Sequence, residues 1–519
     1  MLFVMSIREV LIGLLFVNQY VDGEKILGIF AHKGKSHFDS FVPLMKALAL
    51  KGHDVTVISH FPQKTRVANF SDIDINPGNI FLDVINLGDI PENYRVRRYA
   101  TPLLLLNLGY ESCKQVFSNK NFISFFNSAP KFDLIITELF NTKCFLGALR
   151  QLNAPIIGMS STVPLSWDDF TVGFPSNPAY IPNNFMSFND KMTFLQRTEN
   201  TIAYLLTGAI NHLHMAISGY LLANVVSESP HDLNEIASNI SLMLVNAHFS
   251  VQLPRPLPPN YIEVGGLHLT QPKIPPSHID KWINESKHGV IYFSLGSMIK
   301  GHTFPDDKKQ MFINAFGRLP QRVLWKWENE TMPGKTDNIM IEKWMPQFDI
   351  LCHPNVKAFI AHGGMLGVTE AVHCGVPMII MPQFGDQFTN AKAVEASGGG
   401  TILDYRYLDE ESIYNALTTA LDPKSNKKAK ELSARFKDRP LPPLETAIYW
   451  IEYVARHGGA PHLRTAAVGM PLYQYLLLDV IAFLVVILFS FLFVVYYISR
   501  AILRKLCRRK QSSQKKKKH

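Results

Sequence analysis

The apolar positions of this chain fall in short blocks separated by polar turns, and the period of the blocks changes along the sequence. Lys25 to Phe30 is a compact apolar run and reads as a strand. The segment after it, expected to be a loop, carries Ser36 and His37. Helical spacing from Phe41 to Lys51 ends at Gly52, and "DVTVIS" from Asp54 to Ser59 reads as a second strand. Strand, helix and strand in this order open a parallel sheet, because two parallel strands need a long crossover between them. Phe132 to Thr137 reads as a further buried strand, with Glu138 at its C-terminal end. Phe194 to Leu222 is long, apolar and helical in period, interrupted by Gly208 and Gly219. That pattern fits either a core hairpin or a helix resting on a membrane.

A break follows. "PRPLPP" and "QPKIPP" flank "NYIEVGG" between Pro254 and Pro276, a proline-rich linker pattern. Beyond it the α/β rhythm restarts, with strands expected at Val290–Ser294, Val323–Lys326, Ile339–Ile341, Phe359–Ala361 and Met378–Met381. The pattern therefore predicts two α/β halves, 24–253 and 288–445, joined by a linker at 254–287 and followed by closing helices and a juxtamembrane segment at 446–479. In open α/β sheets ligands bind beyond the carboxyl ends of the strands, so the two sets of ends are expected to face one cleft.

Both termini add to this picture. Val480 to Ile498 is 19 residues without a charge. At a rise of about 1.5 Å per residue this just spans a hydrocarbon core of about 30 Å. Tyr496 and Tyr497 sit where an interfacial aromatic belt would lie. From Arg500 to the end there are ten Lys or Arg and no acid, and the rest of the chain holds 42 basic against 43 acidic residues. The net charge of +9 is thus confined to the 499–519 tail, and nothing in the near-neutral body suggests nucleic acid. The positive flank places the tail in the cytosol and the body in the lumen. Arg8 followed by apolar Val10–Val17 resembles a cleavable signal peptide over 1–23. Lys516 and Lys517, fourth and third from the end, match the dilysine pattern of endoplasmic reticulum (ER) retrieval. Four N-x-S/T sequons, at Asn69, Asn239, Asn284 and Asn329, all fall in the body. So do Cys113, Cys144, Cys352 and Cys374, which leave room for a disulfide without fixing its pairing. They show no metal-ligand spacing, so no metal site is expected.

The chemistry-bearing residues of the second half cluster at the expected strand ends. They are Ser294–Ser297, "WMPQ" at Trp344–Gln347, His362–Gly364 in "FIAHGGMLGVTEAVHCG", and "GDQ" at Gly385–Gln387. A helix restarting after His-Gly-Gly presents unpaired N–H groups that suit an anion. Trp344 offers a flat face to a base, and Gln347 can donate and accept. Gly363 and Gly364 admit a diphosphate, with His362 and Ser297 as donors. Glu370 can accept from two ribose hydroxyls, and Asp386 and Gln387 can hold sugar hydroxyls. Histidine is the side chain suited to take a hydroxyl proton near neutrality, so His37 is the candidate base of the first half, and Glu138 could hold its tautomer.

The 44 residues from Trp344 to Gln387 resemble the signature of the UDP-glycosyltransferases, and with "FSLGS" and the two termini the resemblance covers nearly the whole chain. "HGGMLG" is similar to the invertebrate membrane-bound members; vertebrate members usually have Asn at the position of Leu366, and the resemblance implies Gly367 as the small residue that contacts the phosphates. The resemblance implies two Rossmann-like lobes of the GT-B fold with a C-terminal transmembrane helix. It implies His37 as base, with Glu138 where the family often has Asp. It also implies inverting, metal-independent transfer of a sugar, on the invertebrate likeness glucose, to a hydroxyl of a small lipophilic acceptor. The UDP-sugar is then a co-substrate and no cofactor is expected; homo-oligomerisation is left open. The rival expectation is a non-catalytic, membrane-anchored lipophile binder of the same fold.

Overall fold

The computed structural model describes residues 23–78, 86–87, 94–226 and 232–516. The signal-peptide segment and Lys517 lie outside them. Two compact units result, 1–465 and 466–519.

The first unit holds two parallel sheets. The chain enters through β1 (Lys25–Phe30), α1 (Lys35–Leu50), β2 (Asp54–Ser59) and β3 (Phe70–Asp74). A long helix, α2 (Tyr94–Phe117), leads to β4 (Leu134–Glu138) and β5 (Ile156–Ser160). Then come α3 (Phe194–Val226), β6 (Leu242–Val245) and β7 (Tyr261–Glu263). The seven strands lie in the order β3-β2-β1-β4-β5-β6-β7, all neighbours parallel. The second lobe contains β8 (Val290–Ser294), β9 (Arg322–Lys326), β10 (Ile339–Glu342) and β11 (Val356–Ala361). It continues with α4 (Met365–Cys374), β12 (Met378–Ile380), α5 (Gln387–Ser397) and β13 (Gly400–Ile402). Its sheet runs β10-β9-β8-β11-β12-β13, again parallel. Both orders reverse direction once, between β1 and β4 and between β8 and β11. Crevices open beyond the strand ends at such points, and here they carry the candidate residues.

Each sheet is buried on both faces, which is why its central strands read as unbroken apolar runs. Ile26, Val55, Leu134 and Ile157 pack against α1 on one side of the first sheet. A late helix, α6 (Pro443–Arg456), returns to the same layer and buries Ala447, Ile451 and Val454 in it. Cys113–Cys144 and Cys352–Cys374 are disulfides, one in each lobe. Asn69, Asn239, Asn284 and Asn329 are all exposed.

Three expectations are corrected. Ser36 and His37 are not in a loop: α1 starts at Lys35, and His37 N–H donates to Gly34 O at 3.1 Å. The helix extends one turn beyond its apolar stripe because Gly34 at the N-cap is extended (φ −72°, ψ 112°) and the first turn tolerates polar residues. Phe194–Val226 is one helix and not a hairpin; its glycines cost about 1 kcal/mol each and do not break it. The proposed linker contains β7, which pairs with β6, because the prolines flank the strand without occupying it.

The second unit holds α7 (Leu478–Lys516), whose residues Leu478–Arg508 are long and apolar enough to cross a membrane. The free thiol of Cys507 lies on this helix.

Candidate active site

The ends of β1 and β4 bring the first functional group together. His37, in the first turn of α1, places Nδ1 2.6 Å from Glu138 Oε1. Glu138 ends β4 and is only 2% exposed. Its extra methylene, compared with Asp, does not prevent the contact. Ser161, just past β5, puts its Oγ 2.9 Å from the same Nδ1. With Nδ1 engaged, Nε2 is the ring nitrogen left to take a proton. The His37 ring packs against His32 and Phe140, with centroids at 4.2 and 4.7 Å. Burial holds His32 well below the usual imidazole range, so it supports the ring as a neutral neighbour.

The second group gathers at the β8–β11 reversal. Gly364 caps α4 in an extended conformation, and no side chain caps the helix N-terminus. Its first N–H groups therefore remain available to an anion. Gly363 has φ +89°, and a Cβ there would lie 2.9 Å from Ile380 Cγ2, so only glycine fits. His362 lies beside this turn with its Nδ1 buried and unpartnered. Burial, with Lys326 nearby, lowers its pKa to about 4, leaving a neutral ring that can donate one N–H. Glu370 accepts from Gln347 Nε2 at 2.6 Å, and burial raises its pKa to about 7. Gly367 approaches the same amide; a Cβ there would sit 3.1 Å from Gln347 Nε2. Trp344 is 65% exposed and lines the cleft, with Lys326 Nζ 5.9 Å from its ring centroid.

Asp386 links the lobes. Its Oδ2 accepts from Thr162 Oγ1 and from Asn390 Nδ2, each at 2.8 Å, which leaves Oδ1 for a ligand. Gln387 is more committed than its sequence suggested. Its Oε1 accepts from the backbone N–H groups of Gln383 and Phe384, so only Nε2 is left for a hydroxyl. His37, Ser297, Trp344, Gln347, His362, Glu370 and Asp386 all line one cleft of about 930 Å³ between the lobes. Ser161, Thr162 and His268 line it too, and sequence reasoning missed all three. His268 Nε2 is 3.9 Å from Glu370 Oε1, and burial lowers its pKa to about 4. It therefore stands beside the carboxyl as a neutral ring, not as an ion-pair partner. A histidine immediately after the "VGGL" turn was the one available signal for it.

A family model described as UDP-glucoronosyl and UDP-glucosyl transferase matches residues 94–516. UDP-glycosyltransferase UGT5 of Dactylopius coccus is 45% identical over 491 residues, 93% of each chain. The chain belongs to the UDP-glycosyltransferase family. UDP-glucosyltransferase 2 of the same insect is 40% identical over 495 residues, covering 93% of this chain and 94% of that protein. The fold is also that of a solved structure, the glycosyltransferase of kitacinnamycin, at a TM-score of 0.55. That match is 16% identical and covers 84% of this chain and 98% of the other. This UDP-glycosyltransferase thus has two Rossmann-like lobes of the GT-B type and a single C-terminal helix that fits a membrane anchor. It is an enzyme that transfers a sugar from a UDP-sugar, and the non-catalytic expectation is set aside.

Proposed function

We propose that this UDP-glycosyltransferase moves glucose from UDP-glucose to a hydroxyl of a small lipophilic acceptor, with inversion and without a metal. The observation that carries this reading is the His37–Glu138 contact and the open N-terminus of α4 lining one cleft. His37 Nε2 takes the acceptor proton while the acceptor oxygen forms its bond to the anomeric carbon. The bond from that carbon to the UDP oxygen breaks on the opposite face, so an α-linked donor gives a β-glycoside. Glu138 stabilises the imidazolium that forms. Negative charge developing on the diphosphate meets the N–H groups of α4, His362 and Ser297, so the chain's own donors do the work asked of a cation. Trp344 stacks on the base, and Gln347 and Glu370 hold the nucleoside. Asp386 and the Gln387 amide hold the sugar.

Two observations support glucose. The 40% identical relative is described as a glucosyltransferase. Of the four lysines among the described residues that line the cleft, Lys35 and Lys326 are paired with Asp39 and Glu328 and Lys33 donates to Gln115 Oε1, so these three offer little to a uronate carboxylate, and Lys273 is the fourth. The acceptor end of the cleft is apolar, with Leu104, Leu105, Leu108, Phe140, Leu165 and Phe185 in its lining. Microsomes containing the full chain are expected to move label from UDP-glucose to a hydroxylated aromatic acceptor as the β-anomer. Transfer of glucuronic acid alone, or an α-linked product, would overturn the reading.

The same proposal places the body in the ER lumen. Two disulfides and four exposed sequons suit an oxidising, glycosylating compartment. Changing Lys516 and Lys517 to Ser is expected to let the protein leave the ER and acquire mature glycans. Glycans that stay fully sensitive to an enzyme specific for immature forms would show that another signal retains it.

A further inference from the structure

Helix α3 is packed inside out. The face turned into the first lobe carries Asn200, Thr207, Asn211 and Ser218, all buried. Asn200 Nδ2 donates to Ile181 O at 2.9 Å, and its Oδ1 accepts from Asn183 N–H at 2.8 Å. Thr207 Oγ1 accepts from Asn183 Nδ2 at 3.2 Å. The face turned outward carries Leu195, Ile202, Leu206, Leu213, Ile217 and Tyr220, each 45% to 75% exposed. At about 100° per residue these six fall within an arc of about 60°, and they run about 38 Å along the helix. From Asn200 to Val226 there is no Lys, Arg, Asp or Glu. A helix facing water shows the reverse arrangement, and an apolar stripe of this length marks a contact surface.

We propose that this stripe seats on the lipid surface of the membrane that the chain's own C-terminal span enters. Three observations favour lipid over another protein. The chain is covalently joined to a membrane span, so a bilayer is always present at high local concentration. From Ile202 to Ile217 the stripe is aliphatic, Glu199 near its start being held by Tyr99 Oη at 3.2 Å, whereas a protein partner would use about one hydrogen bond per 100–200 Å² of interface. Tyr220, at one end and 70% exposed, has the amphipathic ring that settles at headgroup level. Seating is shallow, about 5–10 Å into the headgroup boundary.

Helix α2 packs against α3 and exposes Leu103 and Leu104. Leu104 and Leu108 also line the cleft. Leu104 thus reaches the cleft from the helix packed beside the lipid-facing one, and, on the lipophilic-acceptor reading above, an acceptor dissolved in the bilayer enters along α2.

The test uses the full chain in phosphatidylcholine nanodiscs. Cys507→Ser removes the free thiol, and Leu213→Cys supplies one for an environment-sensitive fluorophore. Tyr407→Cys, at a 73% exposed site on the second lobe, is the control. The probe at position 213 is expected to be quenched by nitroxide lipid and shielded from aqueous iodide, with the reverse at 407. Iodide quenching at 213 without lipid quenching would overturn the proposal. So would shielding from both with self-quenching between copies, which would assign the stripe to a second chain. Leu206→Glu with Leu213→Glu changes only exposed positions. It is expected to abolish lipid contact and to raise KM for a bilayer-soluble acceptor about tenfold, the worth of one buried apolar side chain. KM for a water-soluble acceptor should not move. Equal values for both acceptors, with lipid quenching intact in the parent chain, would overturn the entry route alone. Loss of all transfer in the parent chain would instead strike the proposed function.

Discussion

His37→Ala leaves UDP binding intact and lowers transfer to an aliphatic alcohol by about 10²–10⁴-fold, the usual worth of a positioned general base. The two halves of this expectation come from different lobes. Nothing at the α4 N-terminus, at Glu370 or at Trp344 depends on His37, whose ring is held by Glu138, Ser161, His32 and Phe140. Glu138→Gln should cost less, because an amide oxygen can still orient Nδ1–H but cannot offset the imidazolium charge. The diagnostic comparison is an acceptor that is already an anion at neutral pH, such as an acidic nitrophenol. It has no proton to lose, so its rate should suffer far less in His37→Ala. Steady-state rates for both acceptors decide the matter: equal losses would make His37 a positioning group, and no loss for either would put the base elsewhere.

Glu370→Ala is expected to weaken UDP binding by about 1–3 kcal/mol, the cost of leaving buried donors unpaired. Calorimetry on the folded variant reads this directly, and unchanged affinity would remove Glu370 from the site. A second signature follows from its ionisation. Burial raises the carboxyl to about 7, opposed in part by Gln347. The ionised carboxylate is the stronger acceptor and offers both oxygens to the ribose hydroxyls, whereas the protonated form gives up one of them to its own proton, so affinity for UDP-glucose should rise as pH climbs through about 7. The diphosphate of a UDP-sugar is a diester without a titration in that range, and Glu370→Gln should flatten the profile. The sign for stability is opposite. The folded carboxyl binds its proton more tightly than the unfolded one, so its contribution falls as pH rises from about 4.5 to about 7.

Much of this architecture is legible in the sequence because parallel strands buried on both faces are written as apolar runs. Lys25–Phe30, Asp54–Ser59 and Val290–Ser294 match their expected bounds. Strand β3, "FSDID", stays hidden because it is an edge strand with alternating polar positions, and β7 is masked by the prolines around it. The donor-site residues fall close together in sequence, so their spacing carries information. The contacts of Ser161 and Thr162 do not: their partners His37 and Asp386 are 124 and 224 residues away. Gln387 shows the converse. Its type suits a sugar, but its carbonyl oxygen is taken by backbone N–H groups that no pattern announces. The apolarity of α3 was plain, yet composition cannot say which face turns outward. Only the burial of Asn200, Thr207 and Asn211 reveals that.

The return of α6 to the first lobe has a mechanical consequence. The chain crosses from the first lobe to the second after β7, and crosses back before Pro443 to bury Ala447, Ile451 and Val454 beside α1. A body joined to another by one strand can swivel about it in any direction. Here the two crossings are joined by a third tie, Leu87, which lies between β3 and α2 yet is buried in the core of the second lobe and donates its N–H to Thr303 Oγ1 at 3.0 Å. Ties at separate points resist swivelling of one lobe against the other, which keeps Thr162 opposite Asp386.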